Sequence, residues 1–143
     1  MDHIKNITFE FERRMVENLE RIQKCLNVLP QEKIWFSPNI NSNSIGNILL
    51  HIEGNIHQYI ISTLGGSPDK RQREVEFYKI HNLSKSILWN QIELTINQAI
   101  DVVKLFDLDN HNTLRSVQCY QETPISIIIH VTEHTSYHVG QIT

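Results

Sequence analysis

Apolar residues recur at steps of three and four along four stretches of the chain, and each such stretch predicts a helix. Over residues 2–29 the series is Ile4, Ile7, Phe11, Met15, Leu19, Ile22, Leu26 and Leu29, one stripe that Pro30 stops. A second helix starts at Asn43 or Ser44, either of which can cap its free amides, and ends at Leu64, where Gly65-Gly66 and Pro68 follow. Its core face is Ile45, Ile48, Leu49, Ile52, Ile56, Tyr59 and Ile60. The third covers residues 84–105 through Ile87, Leu88, Ile92, Ile96, Ile100, Val103 and Leu105. The fourth begins at Thr123-Pro124, an N-cap followed by proline at the first helical position, and runs toward Thr143. Between them the helical period is lost. Residues 31–43 read as a packed loop carrying Trp35, Phe36 and Pro38; residues 67–82 as a charged irregular connection with room for one short helical turn; residues 107–123 as a polar connection.

Helix formers and Ile/Leu dominate, Pro and Gly are few, and no Val- or Thr-rich alternating run appears, so the fold class is all-α. Four helices of this length predict a four-helix bundle, formed by residues 1–143 as a single domain. The connection between the second and third helices is long for a hairpin and predicts a crossover. The net charge is -3, from Lys+Arg 13 against Asp+Glu 16, and the basic residues form no long stripe, which argues against a nucleic-acid partner. No apolar stretch is long enough to span a bilayer and Met1-Asp2-His3 does not begin a signal peptide, so a cytoplasmic location is expected. Cys25 and Cys119 stand alone, without C-x-x-C or disulfide-framework spacing, and are expected to be buried thiols in a reducing compartment. What changes the picture is histidine: there are eight, and five of them fall in two short segments.

In the fourth helix His134 and His138 stand one turn apart and differ by only about 40° around the axis. Ile127, Val131 and Ile142 share that face, so the two imidazoles sit on the apolar arc. Burying both without partners is costly, whereas neutral imidazoles one turn apart chelate zinc, nickel or iron naturally. The alternative is that one ring bonds a backbone carbonyl and the other reaches solvent. The second helix bears on the choice. Ser44, Asn47, His51, Asn55, Gln58 and Ser62 form a polar stripe without a charge, suited to the wall of an enclosed polar cavity or, alternatively, to a seam between subunits. It holds His51; His57 lies on another flank that rotation alone does not exclude, but the polar neighbours favour His51. The candidate ligands are therefore His51, His134 and His138, with Asn47, Asn55 and His130 as supporting or pocket residues. His3, His81 and His111 fall in loops or near a terminus. Arg71 and Arg73 are candidates for holding the carboxylates of a thiol cofactor or acidic substrate; a solvated or salt-bridged loop is the other reading.

These residues carry a resemblance. Asn43-Ser44-Ile45-Gly46-Asn47 leading into Leu50-His51 and Gly54-Asn55, Gly65-Gly66 followed by Asp69 and Arg71, and Glu133-His134-Thr135-Ser136-Tyr137-His138-Val139-Gly140-Gln141-Ile142 together resemble the DinB/YfiT-like superfamily of metal-binding four-helix bundles. The match covers about half of the chain; helices 1 and 3 agree only in length and apolar pattern. It implies a divalent metal held by one histidine of helix 2 and two of helix 4, which are His51, His134 and His138, together with a homodimer and a crossover between helices 2 and 3. Some relatives are thiol-dependent transferases or isomerases, in which the metal activates a low-molecular-weight thiol; many have no established reaction. The chain departs from the pattern by stopping at Thr143, where relatives continue helix 4 for more turns, which bears on the stability of that helix end and on the dimer contact.

The expected function is accordingly a metal-dependent transferase that activates a thiol for attack on a small electrophile. A hydrolase of a small ester or amide, a metal-binding or stress-response protein without turnover, and a helical dimerisation module with structural histidines are the alternatives. A zincin-like protease is disfavoured because Glu133 precedes His134 and points about 100° away. A ferritin-like di-iron site is disfavoured because the core-facing helices carry no Glu-x-x-His pair. No general base stands out in the expected cavity, and thiolate transfer needs one least.

Overall fold

Each apolar stripe becomes a helix that turns it inward. The computed structural model describes residues 2–79, 82–107 and 112–143. Helix α1 spans Asp2–Val28, α2 Ile45–Ile56, α3 Lys85–Leu105 and α4 Pro124–Ile142. Local chemistry sets the starts. Ser44, Ser84 and Thr123 each accept a backbone N–H of the first turn, and Ser44 forms a reciprocal capping box with Asn47. The end of α1 is capped from a distance: the Lys85 ammonium donates to the carbonyls of Leu26 and Leu29, each at 2.7 Å.

Helices α1 and α2 each pack against both α3 and α4, which makes a four-helix bundle. Phe11, Met15 and Ile22 from α1, Leu49, Ile52 and Ile56 from α2, Leu88, Ile92 and Ile96 from α3, and Ile127, Val131 and Val139 from α4 form one core. Two expected core residues of α3 lie outside it: Ile87 and Leu105 are exposed, and Thr95 and Ala99 take up the interior arc with Ile92 and Ile96. Residues 31–43 are packed only in part: Ile34 is buried and the half-buried Trp35 indole donates to the Leu83 carbonyl at 2.8 Å and lies over Gly46, where a Cβ would strike the ring, whereas Phe36, Pro38 and Ile40 are exposed.

Three features depart from the sequence reading. First, α2 continues not as α-helix but as a π-helical turn over His57–Ser62, in which the Thr63 N–H reaches back five residues to the Gln58 carbonyl. The segment ends where Gly66 adopts φ 79°. Second, residues 107–123 contain a hairpin of β1 Arg115–Val117 and β2 Tyr120–Glu122, joined through Gln118-Cys119 with Gln118 at φ 53°. Third, neither cysteine is buried: Cys25 is partly exposed and Cys119 is exposed at the hairpin tip, away from the core that would have covered it. The long connection between α2 and α3 carries the expected short helical turn, at Arg73–Phe77, and this turn packs on α2. His81 and His111 lie outside the described residues. No helix among the described residues is long and apolar enough to cross a membrane.

Candidate metal centre

The polar stripe of α2 is buried as its composition suggests: Ser44, Asn47, His51, Asn55 and Ser62 are all in the interior. His51 faces His134 and His138 across the α2–α4 contact. The His51 and His134 Nε2 atoms are 3.0 Å apart, and one ligand nitrogen from each of the three rings lies within 4.8 Å of the others. Nitrogens in a tetrahedral zinc set with bonds of about 2.0–2.1 Å are separated by about 3.4 Å, a value this triangle brackets.

The protons point outward. His51 Nδ1 lies 2.8 Å from Glu76 Oε2 and 3.3 Å from an Arg71 nitrogen. The carboxylate is nearer and only accepts, so Nδ1–H donates to it and Nε2 presents its lone pair to the other rings. His138 Nδ1 faces the Gln141 side-chain oxygen at 2.7 Å, which leaves its Nε2 free in the same way. His134 Nδ1 is buried without a partner. Burial, reinforced by His138 and His51, pushes the His134 pKa down to about 3, and burial also lowers His138. Three converging imidazoles, two of them with a lone pair already fixed inward, suit a divalent cation.

This sets a pH dependence. Unfolded, His134 takes up a proton near pH 6.5; folded, it resists down to about pH 3. Between these values the unfolded chain binds more protons, so stability falls as the pH is lowered through that window. Protein stripped of metal by a chelator is expected to melt at progressively lower temperature from neutral pH downward, and His134→Leu to flatten the profile; an unchanged slope in the variant would contradict the assignment.

Glu76 is the functional residue that sequence reasoning missed. It lies 25 residues from His51 in a loop full of charge, and its one local signal is the apolar pair Val75 and Phe77 on either side. Its side chain is 8% exposed, and Arg71, 4% exposed, donates Nε to Oε1 at 2.6 Å and Nη2 to Oε2 at 3.1 Å. Burial opposes ionisation of Glu76, but the bonds from His51 and Arg71 outweigh it and hold the carboxyl below its usual range. The Asn47 amide donates to the carbonyls of Glu76 and Tyr78, at 2.9 and 2.8 Å, pinning the loop to the first turn of α2. Gly54 supplies the space, since a Cβ there would meet Glu76 Oε1 and Arg71 Nε. Gly54→Ala is expected to cost about 1–3 kcal/mol through overpacking, read as a lower urea midpoint at constant m-value.

Arg71 is engaged by Glu76 and by Gln58 Oε1 at 2.9 Å, while Arg73 is exposed with its guanidinium 5.5 Å from the Phe77 ring centre. Gln58 in turn donates to Asp69 and accepts from the hairpin residue Gln118. His130 stacks on Tyr59 at 4.5 Å and on His134 at 5.6 Å, and its nitrogen faces the Asn55 amide at 3.5 Å; it is not part of the converging triad. His57 is outside the triad and lines a cavity of about 330 Å³ with Leu50, Glu53 and Lys70, whose wall also includes Gly54, Arg71 and Glu76 behind His51.

Over residues 3–143 the sequence matches a family model described as "Protein of unknown function (DUF1572)". Among solved structures the chain is similar to a DinB-like protein from Bacillus cereus ATCC 10987, with TM-score 0.71 and 16% identity over 92% of this chain and 85% of that one. No curated protein matches it.

Proposed function

The chain belongs to the DUF1572 family and has a DinB-like helical fold, and from that premise we propose that it is a divalent-metal-binding protein acting as a thiol transferase on small electrophiles. The observation that carries this reading is the convergence of His51, His134 and His138, with His51 and His138 already donating their Nδ1 protons outward. These three residues would hold zinc, nickel or iron. Such an ion would supply a Lewis acid that keeps a low-molecular-weight thiol deprotonated. Glu76 keeps the proton on His51 Nδ1 and Gln141 keeps that on His138, so the rings are oriented before the ion arrives. Transfer would form a carbon–sulfur bond while the electrophile's leaving group departs with the bonding pair and the thiol's proton passes to solvent. Glu76 is committed to His51 and Arg71 and is a poor general base, which favours a nucleophile generated by coordination over one generated by proton abstraction.

Purification without a nickel column, followed by metal analysis and incubation with several thiols and a chromogenic electrophile, tests this reading. Stoichiometric metal and thiol-dependent turnover are expected. Metal without turnover would leave a binding protein, and no metal in the intact chain would remove the site.

The same reading takes the protein as a cytoplasmic homodimer. Its support is a groove of about 360 Å³ between α1 and α4, lined by Ile7, Phe11, Ile128 and Ile129 together with the charged Glu10, Arg14 and Glu133. Equilibrium sedimentation should report twice the chain mass, and Ile129→Lys should halve it.

A further inference from the structure

Beyond His130 lies a second cavity, of about 270 Å³, lined by Tyr59, Tyr120, Glu122, Ser126 and His130. It is one ring removed from the triad: His130, in its wall, stacks on His134 on one side and on Tyr59 on the other. The hairpin and the first turns of α4 build it, and the π-helical turn of α2 delivers Tyr59 to it.

Its chemistry is one-signed. Glu122 is the one charged residue in the lining, and the Ser126 hydroxyl donates to its Oε2 and fixes the carboxylate. Arg115 is its cross-strand partner but places its guanidinium 5.8 Å from the Phe106 ring centre, and among the described residues Glu122 forms no ion pair. Two phenol oxygens add acceptor capacity, and aromatic walls attract a cation through their quadrupoles. An anion would meet the carboxylate's repulsion, and an alcohol would gain a hydrogen bond without the charge. Glu122 also stands one residue before the N-cap Thr123 of α4, a position with a purely local role that a binding measurement separates from this one.

We propose that this cup takes the primary ammonium group of the co-substrate that docks at the histidines, so that the molecule used is amine-bearing. This inference rests on the transferase reading and specifies its substrate.

The test has two arms. In the first, the full chain stripped of metal is titrated by calorimetry with hexylammonium and with hexanol. The amine should bind at least about tenfold tighter, the size of one charge-assisted hydrogen bond, and Glu122→Gln should erase the preference. Equal affinities, or a preference that survives in Glu122→Gln, overturn the proposal whatever the metal does. In the second arm, cobalt-loaded protein is titrated with aminohexanethiol and mercaptohexanol while the charge-transfer band is followed. The aminothiol should saturate the band at about one-tenth of the concentration, again dependent on Glu122. Equal titrations overturn the proposal and leave the transferase reading standing. If neither thiol perturbs the band, the transferase reading itself fails and the co-substrate assignment falls with it, while amine binding in the first arm still stands or falls separately.

Discussion

Glu76→Ala is expected to destabilise the protein by about 3–5 kcal/mol, because it strands the Arg71 guanidinium in the interior. For a chain of this size that corresponds to a fall in Tm of about 10 °C or more. Buried pairs are weak net stabilisers, since desolvation offsets their attraction, but removing one partner leaves an uncompensated charge. The double variant Arg71→Met/Glu76→Gln separates the two effects. It removes both charges and keeps an acceptor for His51 Nδ1, so it should recover most of the lost stability and most of the metal affinity. Glu76→Ala alone should lower that affinity about 10–100-fold through loss of the bond to the ligating ring. If the double variant is as unstable as the single one, the buried charge is not the cause. The pH dependence has a definite sign. Because the Glu76 carboxyl is held below its usual range, its contribution is present above the unfolded carboxylate pKa, near 4.5, and is lost as the pH falls through the folded value.

Saturating zinc is expected to raise the Tm by about 5–10 °C, since ligand at a hundred times Kd adds about 2.7 kcal/mol to the folded state. His51→Ala, His134→Ala and His138→Ala should each abolish the shift, whereas His57→Ala and His130→Ala should retain it. His134→Ala is the cleanest of the three, because its Nδ1 is already buried without a partner and its removal breaks no hydrogen bond on that side. Differential scanning calorimetry with and without one equivalent of metal reads the result. A zinc-dependent shift that persists in His134→Ala would place the ion elsewhere.

The helices and the histidine triad were legible because both rest on short-range periodicity. A capping serine acts three residues away, and His134 and His138 face one another by helical arithmetic alone. His51 was reached through the missing charges around it, and those neighbours are indeed buried. The hairpin was not legible: its strands are three residues each, and its turn is Gln118-Cys119 rather than an Asn-Gly pair that would announce positive φ. The π-helical turn has no residue signature either, although it carries Tyr59 to His130. Glu76 looked like an ordinary loop charge because His51 lies 25 residues away, and Arg71, read as a candidate for binding a ligand's carboxylate, is instead enclosed against Glu76 and Gln58.

The way Asn47 and Gln58 grip the 67–79 connection has a consequence for how the molecule comes apart. That stretch looks like an easy target for trypsin, with Lys70, Arg71 and Arg73 in close succession. Yet the Arg71 side chain, which the protease must grasp, is locked inside, and two carbonyls nearby are held by α2. Cleavage after Arg71 therefore requires the histidine face to open with it, so that susceptibility to nicking there reports on the integrity of the histidine site rather than on loop fraying.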